Sequence, residues 1–217
     1  MNNESTIWQY LKGKGFTDIA AAGIMGNLYA ESGLEPKNLQ TVYEATLGMT
    51  DDQYTQAVDS GSYGNFVRDL AGYGLAQWTF WSRKQALLNK AKSMGKSIGD
   101  LSMQLSYLWD ELQEFGLVGK LNACGSVRDA SNLMLFEFEK PYDTGMSVQN
   151  ARTNWSQGFY DRNHNAVVPV VPEMPVADQV RYCVMAKQEI ADLNKAKELM
   201  TVLKGYGFEG MIIKVIA

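Results

Sequence analysis

The sequence predicts an α+β fold: a mainly helical domain with a small β-hairpin, followed by a small strand-helix-strand unit. Three observations predict it. Apolar residues recur at helical spacing in segments that begin near Thr17, Asp100 and Ser126. Small and aromatic residues alternate through Gly72-Tyr73-Gly74-Leu75-Ala76-Gln77-Trp78, as in a short strand or hairpin. A proline-rich stretch then separates this domain from a short tail. The expected boundaries are a domain over residues 1–163, a linker over 164–178 and a terminal unit over 179–217.

The first patterned helix follows Thr17, whose hydroxyl suits a cap, with Ile19, Ala22, Gly23, Gly26 and Ala30 along one narrow face and Gly33 as the stop. Each internal glycine costs roughly 1 kcal/mol relative to alanine, so Gly23 and Gly26 predict a neighbouring backbone packed closely on this face. The helix should be central. Glu31 falls in its last turn, where unsatisfied carbonyls disfavour a second negative charge, and burial against Leu28, Tyr29 and Leu34 would act in the same direction. Both effects favour a carboxyl able to give up a proton. Read from the helix alone, Glu31 is equally a surface residue in an Ala-Glu-Ser-Gly cap.

Residues 35–69 look irregular and polar, with Tyr43, Tyr54, Tyr63 and Phe66 spaced through a loop that could wall a groove. If residues 72–78 are extended, Tyr73, Leu75 and Gln77 share a face. Gln77 and Trp78 then become candidate ligand contacts, although a Trp anchoring the next helix fits Trp78 as well. A helix is expected from Trp81, with Arg83 and Lys84 on a solvated face. Asp100 caps a helix whose Leu101, Leu105, Leu108, Leu112 and Phe115 face inward. Ser126 with Asp129 resembles a capping box ahead of Ala130, Leu133, Met134 and Phe138. Pro141 stops that helix beside Glu139, which could back the site as a further carboxylate, although pairing with Arg152 is the plainer expectation. Val148, Arg152, Trp155 and Phe159 mark a last helix.

Taken in order, several of these motifs resemble the phage tail lysozyme family, a peptidoglycan-cleaving group of phages and prophages of Gram-positive bacteria. The matching residues are Gly23-Ile24-Met25-Gly26-Asn27 with Glu31-Ser32-Gly33, Asn38-Leu39-Gln40, Gly72 to Trp78 with Thr79, Arg83, the helix over 104–112, and Phe138-Glu139-Lys140-Pro141. The resemblance implies a lysozyme-like domain that cleaves the β-1,4 bond between N-acetylmuramic acid and N-acetylglucosamine without a cofactor. It implies Glu31 as the general acid; the loop over 35–69 and the alternation over 72–78 make Tyr43, Tyr73, Gln77 and Trp78 the expected substrate contacts. It also implies release from the host cytoplasm by a holin, or delivery on a virion tail.

The mechanism then turns on a second carboxylate. A retaining glycosidase needs one about 5 to 5.5 Å from the acid, an inverting one about 6.5 to 9.5 Å away, and a lytic transglycosylase needs none, because the substrate's own hydroxyl attacks. Glu44, Asp51, Asp52, Asp59 and Asp69 are in range of the motif, with Asp69 and Glu44 ranked first. Asp51 and Asp52 follow Thr50 at an apparent helix start and suit capping.

Composition excludes other classes. A net charge of -4 argues against a nucleic-acid partner. The start Met1-Asn2-Asn3-Glu4-Ser5-Thr6 does not read as a secretory signal, and no apolar run approaches the roughly 20 residues of a membrane span. One histidine, His164, cannot furnish a catalytic zinc site. A thiol peptidase pairing Cys124 with His164 remains formally open, since Cys124 precedes a helix cap where a thiolate is favoured. Cys124 and Cys183 do not suggest a disulfide framework.

Beyond Val167-Val168-Pro169-Val170-Val171-Pro172-Glu173-Met174-Pro175, residues 180–185 and 211–216 read as strands flanking a helix after Asp192. This resembles half of a SPOR-type peptidoglycan-binding domain. A unit of about 40 residues with an open strand edge is marginal alone, so two chains are expected to pair through residues 179–217 as a homodimer, or the unit to dock on its own domain.

Overall fold

The computed structural model describes residues 2–164. Over those residues the chain forms α1 (Asn3–Gly13), α2 (Asp18–Ser32), α3 (Thr41–Leu47), α4 (Asp51–Asp59), α5 (Trp81–Met94), α6 (Leu101–Glu114), α7 (Leu117–Asn122), α8 (Val127–Leu133) and α9 (Met146–Asn163), with a π-helical turn over Met134–Glu139. The caps are those the sequence predicts. Thr17, Asp100 and Ser126 accept hydrogen bonds from the backbone amides of Ala20, Met103 and Asp129. Gly33 ends α2 in the left-handed conformation, with φ of 65°.

Helix α2 is the axis of the domain. Every residue from Ala20 to Leu28 is buried, which requires neighbours all round, and α9, α8 and α1 supply them. The two glycines explain how closely. A methyl at Gly23 would stand 2.6 Å from the Ala130 side chain of α8, and one at Gly26 would collide with Ser156 of α9. The close approach read from the glycines is therefore present, with one partner helix at each.

Two expectations are corrected. The loop expected over residues 35–69 contains α3 and α4; Thr50 and Gln53 form a reciprocal capping box, and Tyr54, Thr55 and Val58 give α4 a buried face. Helix α3 buries nothing, so no apolar stripe announces it. The β-hairpin does not form either, and among the described residues there is no strand, so the described domain is helical and the α+β assignment does not hold for it. Residues 72–78 make a turn with isolated bridges Leu39–Tyr73 and Tyr73–Trp78. The left-handed backbone of Gly74 (φ 75°) and Gln77 (φ 44°) breaks the extended run, so Tyr73 pairs alone and no ladder can propagate. The strand-helix-strand unit over 179–217 and nearly all of the linker lie outside the described residues.

Lys84 departs furthest from expectation. Instead of facing solvent it is wholly buried, donating to Asp69 Oδ1 at 2.5 Å, to the Ala71 carbonyl at 2.8 Å and to the Tyr54 hydroxyl at 3.2 Å. Arg83 is also turned inward, with Nε and Nη2 donating to the two oxygens of Glu111 at 2.6 and 2.8 Å.

Candidate active site

The site grows from the last turns of α2. Asn27 and Glu31 are one turn apart and so project from the same side of the helix. Arg152 of α9 reaches both, donating through Nη1 to Asn27 Oδ1 at 3.1 Å and through Nη2 to Glu31 Oε1 at 2.5 Å. Asn27 is itself fixed by donating to the carbonyls of Gly23 and Ser131, so α2, α8 and α9 jointly orient the arginine. Glu31 keeps one-fifth of its side chain exposed, whereas Arg152 keeps 9%. The acid therefore stands at the edge of the core with a charged partner behind it. The apolar pocket expected around Glu31 is replaced by this ion pair, and Arg152, expected to meet Glu139, is committed to Glu31.

The 72–78 turn is tied to the same helix end. Ser32, the residue after Glu31, donates its hydroxyl to the Leu75 carbonyl at 2.9 Å. The Leu75 amide donates in turn to Gln104 Oε1, while Gln104 Nε2 donates to the carbonyls of Pro36 and Ile98. Gln40 and Gly72 exchange hydrogen bonds, and the Gly74 amide donates to Asn38. Gly74 leaves no room for a side chain because Gln104 lies against it. Segments 38–40 and 72–78 thus form one cradle beside Glu31, held by a buried glutamine.

Within that cradle the expected substrate residues occupy different places. Gln77 is half-buried, its amide donating to the Asn38 backbone and side chain at 3.0 and 2.9 Å. Tyr73 and Trp78 have no exposed surface. The Tyr73 hydroxyl bonds Thr55 Oγ1 at 2.6 Å, and Trp78 Nε1 donates to Glu111 Oε2 at 2.8 Å. Burial pushes the Tyr73 phenol well above its ordinary range. Both rings support the cradle from beneath. Tyr43 is half-buried on α3.

The ranked carboxylates differ as well. Asp69 is 2% exposed and takes Lys84, the hydroxyls of Tyr54 and Tyr63 at 2.5 and 3.2 Å, and the Ala71 amide. Glu44 lies on α3 beside Asp51, where desolvation and that neighbour raise its carboxyl above the ordinary value. Asp51 accepts from the Leu39 amide, Asp59 from the Ile98 amide, and Asp52 pairs with Lys37. All three fasten the cradle or its surroundings.

Glu139 is the acid whose surroundings the sequence did not disclose. It ends the π-helical turn, its Oε1 is sealed from solvent without a hydrogen-bond partner, and burial followed by the field of Glu31 raises its carboxyl well above the ordinary range. Its place among the matched motifs was the available signal. Cys124, in contrast, is held toward the neutral thiol by burial and by Asp129, which opposes the thiolate that a thiol peptidase would need.

A helical domain in which a partly exposed glutamate ends the central helix against a hydrogen-bonded turn is of the lysozyme type. The chain belongs to the phage tail lysozyme family, whose model matches residues 2–162, so the entire site lies within the match. That membership makes peptidoglycan the substrate and places the protein among the muramidase-like cell-wall hydrolases. No curated protein matches the chain. Among the described residues no helix is long and apolar enough to cross a membrane.

Proposed function

We propose that this protein is a muramidase that hydrolyses the β-1,4 bond between N-acetylmuramic acid and N-acetylglucosamine, with Glu31 as general acid. The carrying observation is the joint anchoring of Glu31 to Arg152 and, through Ser32, to the 72–78 turn. Glu31 gives its proton to the glycosidic oxygen as the bond breaks, and Arg152 neutralises the carboxylate that results. Stabilising charge that develops during the reaction is what accelerates it. Gln77 and Tyr43 edge the groove. Tyr73 and Trp78 fix its floor, and Glu44 on α3 is the second carboxylate for hydrolysis.

One observation favours a lytic transglycosylase as the second reading. Asp69, the other ranked carboxylate, is closed off by Lys84 and two tyrosines, and a transglycosylase has no need of such a group. Mass spectrometry of digested peptidoglycan separates the two: reducing muramic ends mark hydrolysis, anhydro ends the transglycosylase. Release of neither product would leave a wall-binding protein only. The tail over 179–217 serves as a wall-binding or dimerising unit, and the enzyme reaches the wall from the host cytoplasm after holin action or from a virion tail.

A further inference from the structure

With Tyr73 and Trp78 buried, the rings expected to meet sugar at the 72–78 turn offer it no face. Exposed rings stand instead where α2 meets α9. Tyr29 and Trp155 are 41% and 40% exposed although their centroids lie 5.5 Å apart, and Tyr29 also packs on Phe159 at 5.8 Å. Rings held by neighbours yet open to solvent present a fixed face at little entropic cost.

These rings line a cavity of about 520 Å³, within the roughly 300–1,000 Å³ of small-ligand sites. Its walls continue the two segments that hold Glu31. Gly33 and Leu34 follow Glu31 and Ser32, and Trp155 stands one turn along α9 from Arg152. Gly33 and Leu34 both take left-handed backbone, at φ of 65° and 67°, and Asn3 Nδ2 of α1 donates to the Leu34 carbonyl at 3.0 Å. A leucine rarely adopts that conformation, and such backbone concentrates at binding sites.

The lining defines the ligand's chemistry. Three amides, those of Asn2, Asn3 and Asn154, line the cavity, and each amide can both donate and accept, as hydroxyl and acetamido groups require. Asn154 is exposed and makes no side-chain hydrogen bond to any described residue. The charged groups are engaged: Arg162 donates to the two oxygens of Glu4 at 2.9 and 3.3 Å, and Glu35 accepts from Asn3 Nδ2 at 3.3 Å. An anion therefore finds no unpaired cation there, whereas a neutral ring with C–H faces finds aromatic surface and amides. Gly158 points the same way. Glycine is disfavoured inside a helix, and a methyl here would approach only Arg162 Nη1, at 3.3 Å, so helix packing does not call for it as it does for Gly23 and Gly26. Its effect is to leave the cavity wall bare.

We propose that this cavity between α1, α2 and α9 is a subsite for an N-acetylated hexosamine ring of the glycan, with Trp155 and Tyr29 as its stacking face and Asn154 as a hydrogen-bonding partner. The inference rests on the glycan strand being what Glu31 acts on.

Isothermal titration with N,N′,N″-triacetylchitotriose tests it on the full chain carrying Glu31→Gln, which keeps the sugar uncut. Adding Trp155→Ala should raise Kd by about tenfold or more. Gly158→Leu should do the same while keeping every ring; its side chain displaces only the end of Arg162 and improves helix propensity, so Tm should not fall. No heat of binding at millimolar sugar, or a Kd left unchanged by either substitution, overturns the assignment. The dipeptide L-alanyl-D-isoglutamine stands for the stem peptide: if it binds more tightly than the sugar and is lost in the same variants, the cavity takes peptide and the proposal falls. If wild type releases no muropeptides, the reaction assigned to Glu31 fails, while the titration still decides the subsite.

Discussion

Glu31 meets Arg152 across the contact between α2 and α9, and this pair sets what single substitutions should do. Glu31→Gln keeps the shape and an oxygen that can accept from Arg152 but removes the proton donor, so muropeptide release should fall by about 10²- to 10⁴-fold. Unimpaired lysis by that variant would remove Glu31 from the chemistry. The buried pair Lys84–Asp69 should behave oppositely. Lys84→Met leaves Asp69 enclosed without its cation, a change that costs about 3 to 5 kcal/mol, read as a lower midpoint in urea. At this scale the sequence placed Glu31 at the end of α2 but did not disclose its partner. Arg152 and Glu139 looked matched because they lie close in sequence and a buried carboxylate is normally paired, yet the arginine's choice depends on how α9 crosses α2. Lys84 misled for a related reason, since a lysine beside an arginine on an amphipathic helix reads as solvated until a buried aspartate is known to face it.

The helices were legible wherever an apolar stripe coincided with a cap, as at Thr17, Asp100 and Ser126. Gly23 and Gly26 carried more information than any stripe, because they announced contacts with α8 and α9 before either was placed. Gly26→Ala should therefore cost at least the roughly 1 to 3 kcal/mol of an overpacked core, its methyl meeting the backbone and hydroxyl of Ser156. Thermal denaturation would measure it, and a neutral result would mean that α9 slides easily on α2. The hairpin was misread for want of backbone angles. Alternation of residue types predicts an extended run, but Gln77 in a left-handed conformation is invisible to that pattern. Helix α3 escaped notice because it buries no residue and so has no periodic signature.

For the molecule as a whole, the described domain accounts for residues 2–164, and the family match covers almost the same span. The ordered motifs were what made the domain's class legible, and several of them contribute to one cradle. Asn38, Gln40, Gly72, Gly74 and Gln104 are far apart in sequence yet share hydrogen bonds. The tail is a separate matter. If two chains complete a sheet through residues 179–217, light scattering of the full chain at micromolar concentration should give twice the monomer mass of 24.2 kDa. A monomeric mass with the tail intact would exclude that pairing.

The Ser32 hydroxyl has a mechanical meaning beyond its place in the cradle. It spans from the helix that carries Glu31 to the opposing turn, bonding the carbonyls of Leu28 behind it and Leu75 ahead. The end of α2 and the 72–78 turn are consequently tied together through one oxygen atom and its two carbonyls. A lysozyme-type cleft needs its acid held to within about half an ångström of the productive position. In this chain the residue adjacent to Glu31 carries that tie, so the end of α2 and the 72–78 turn cannot drift independently.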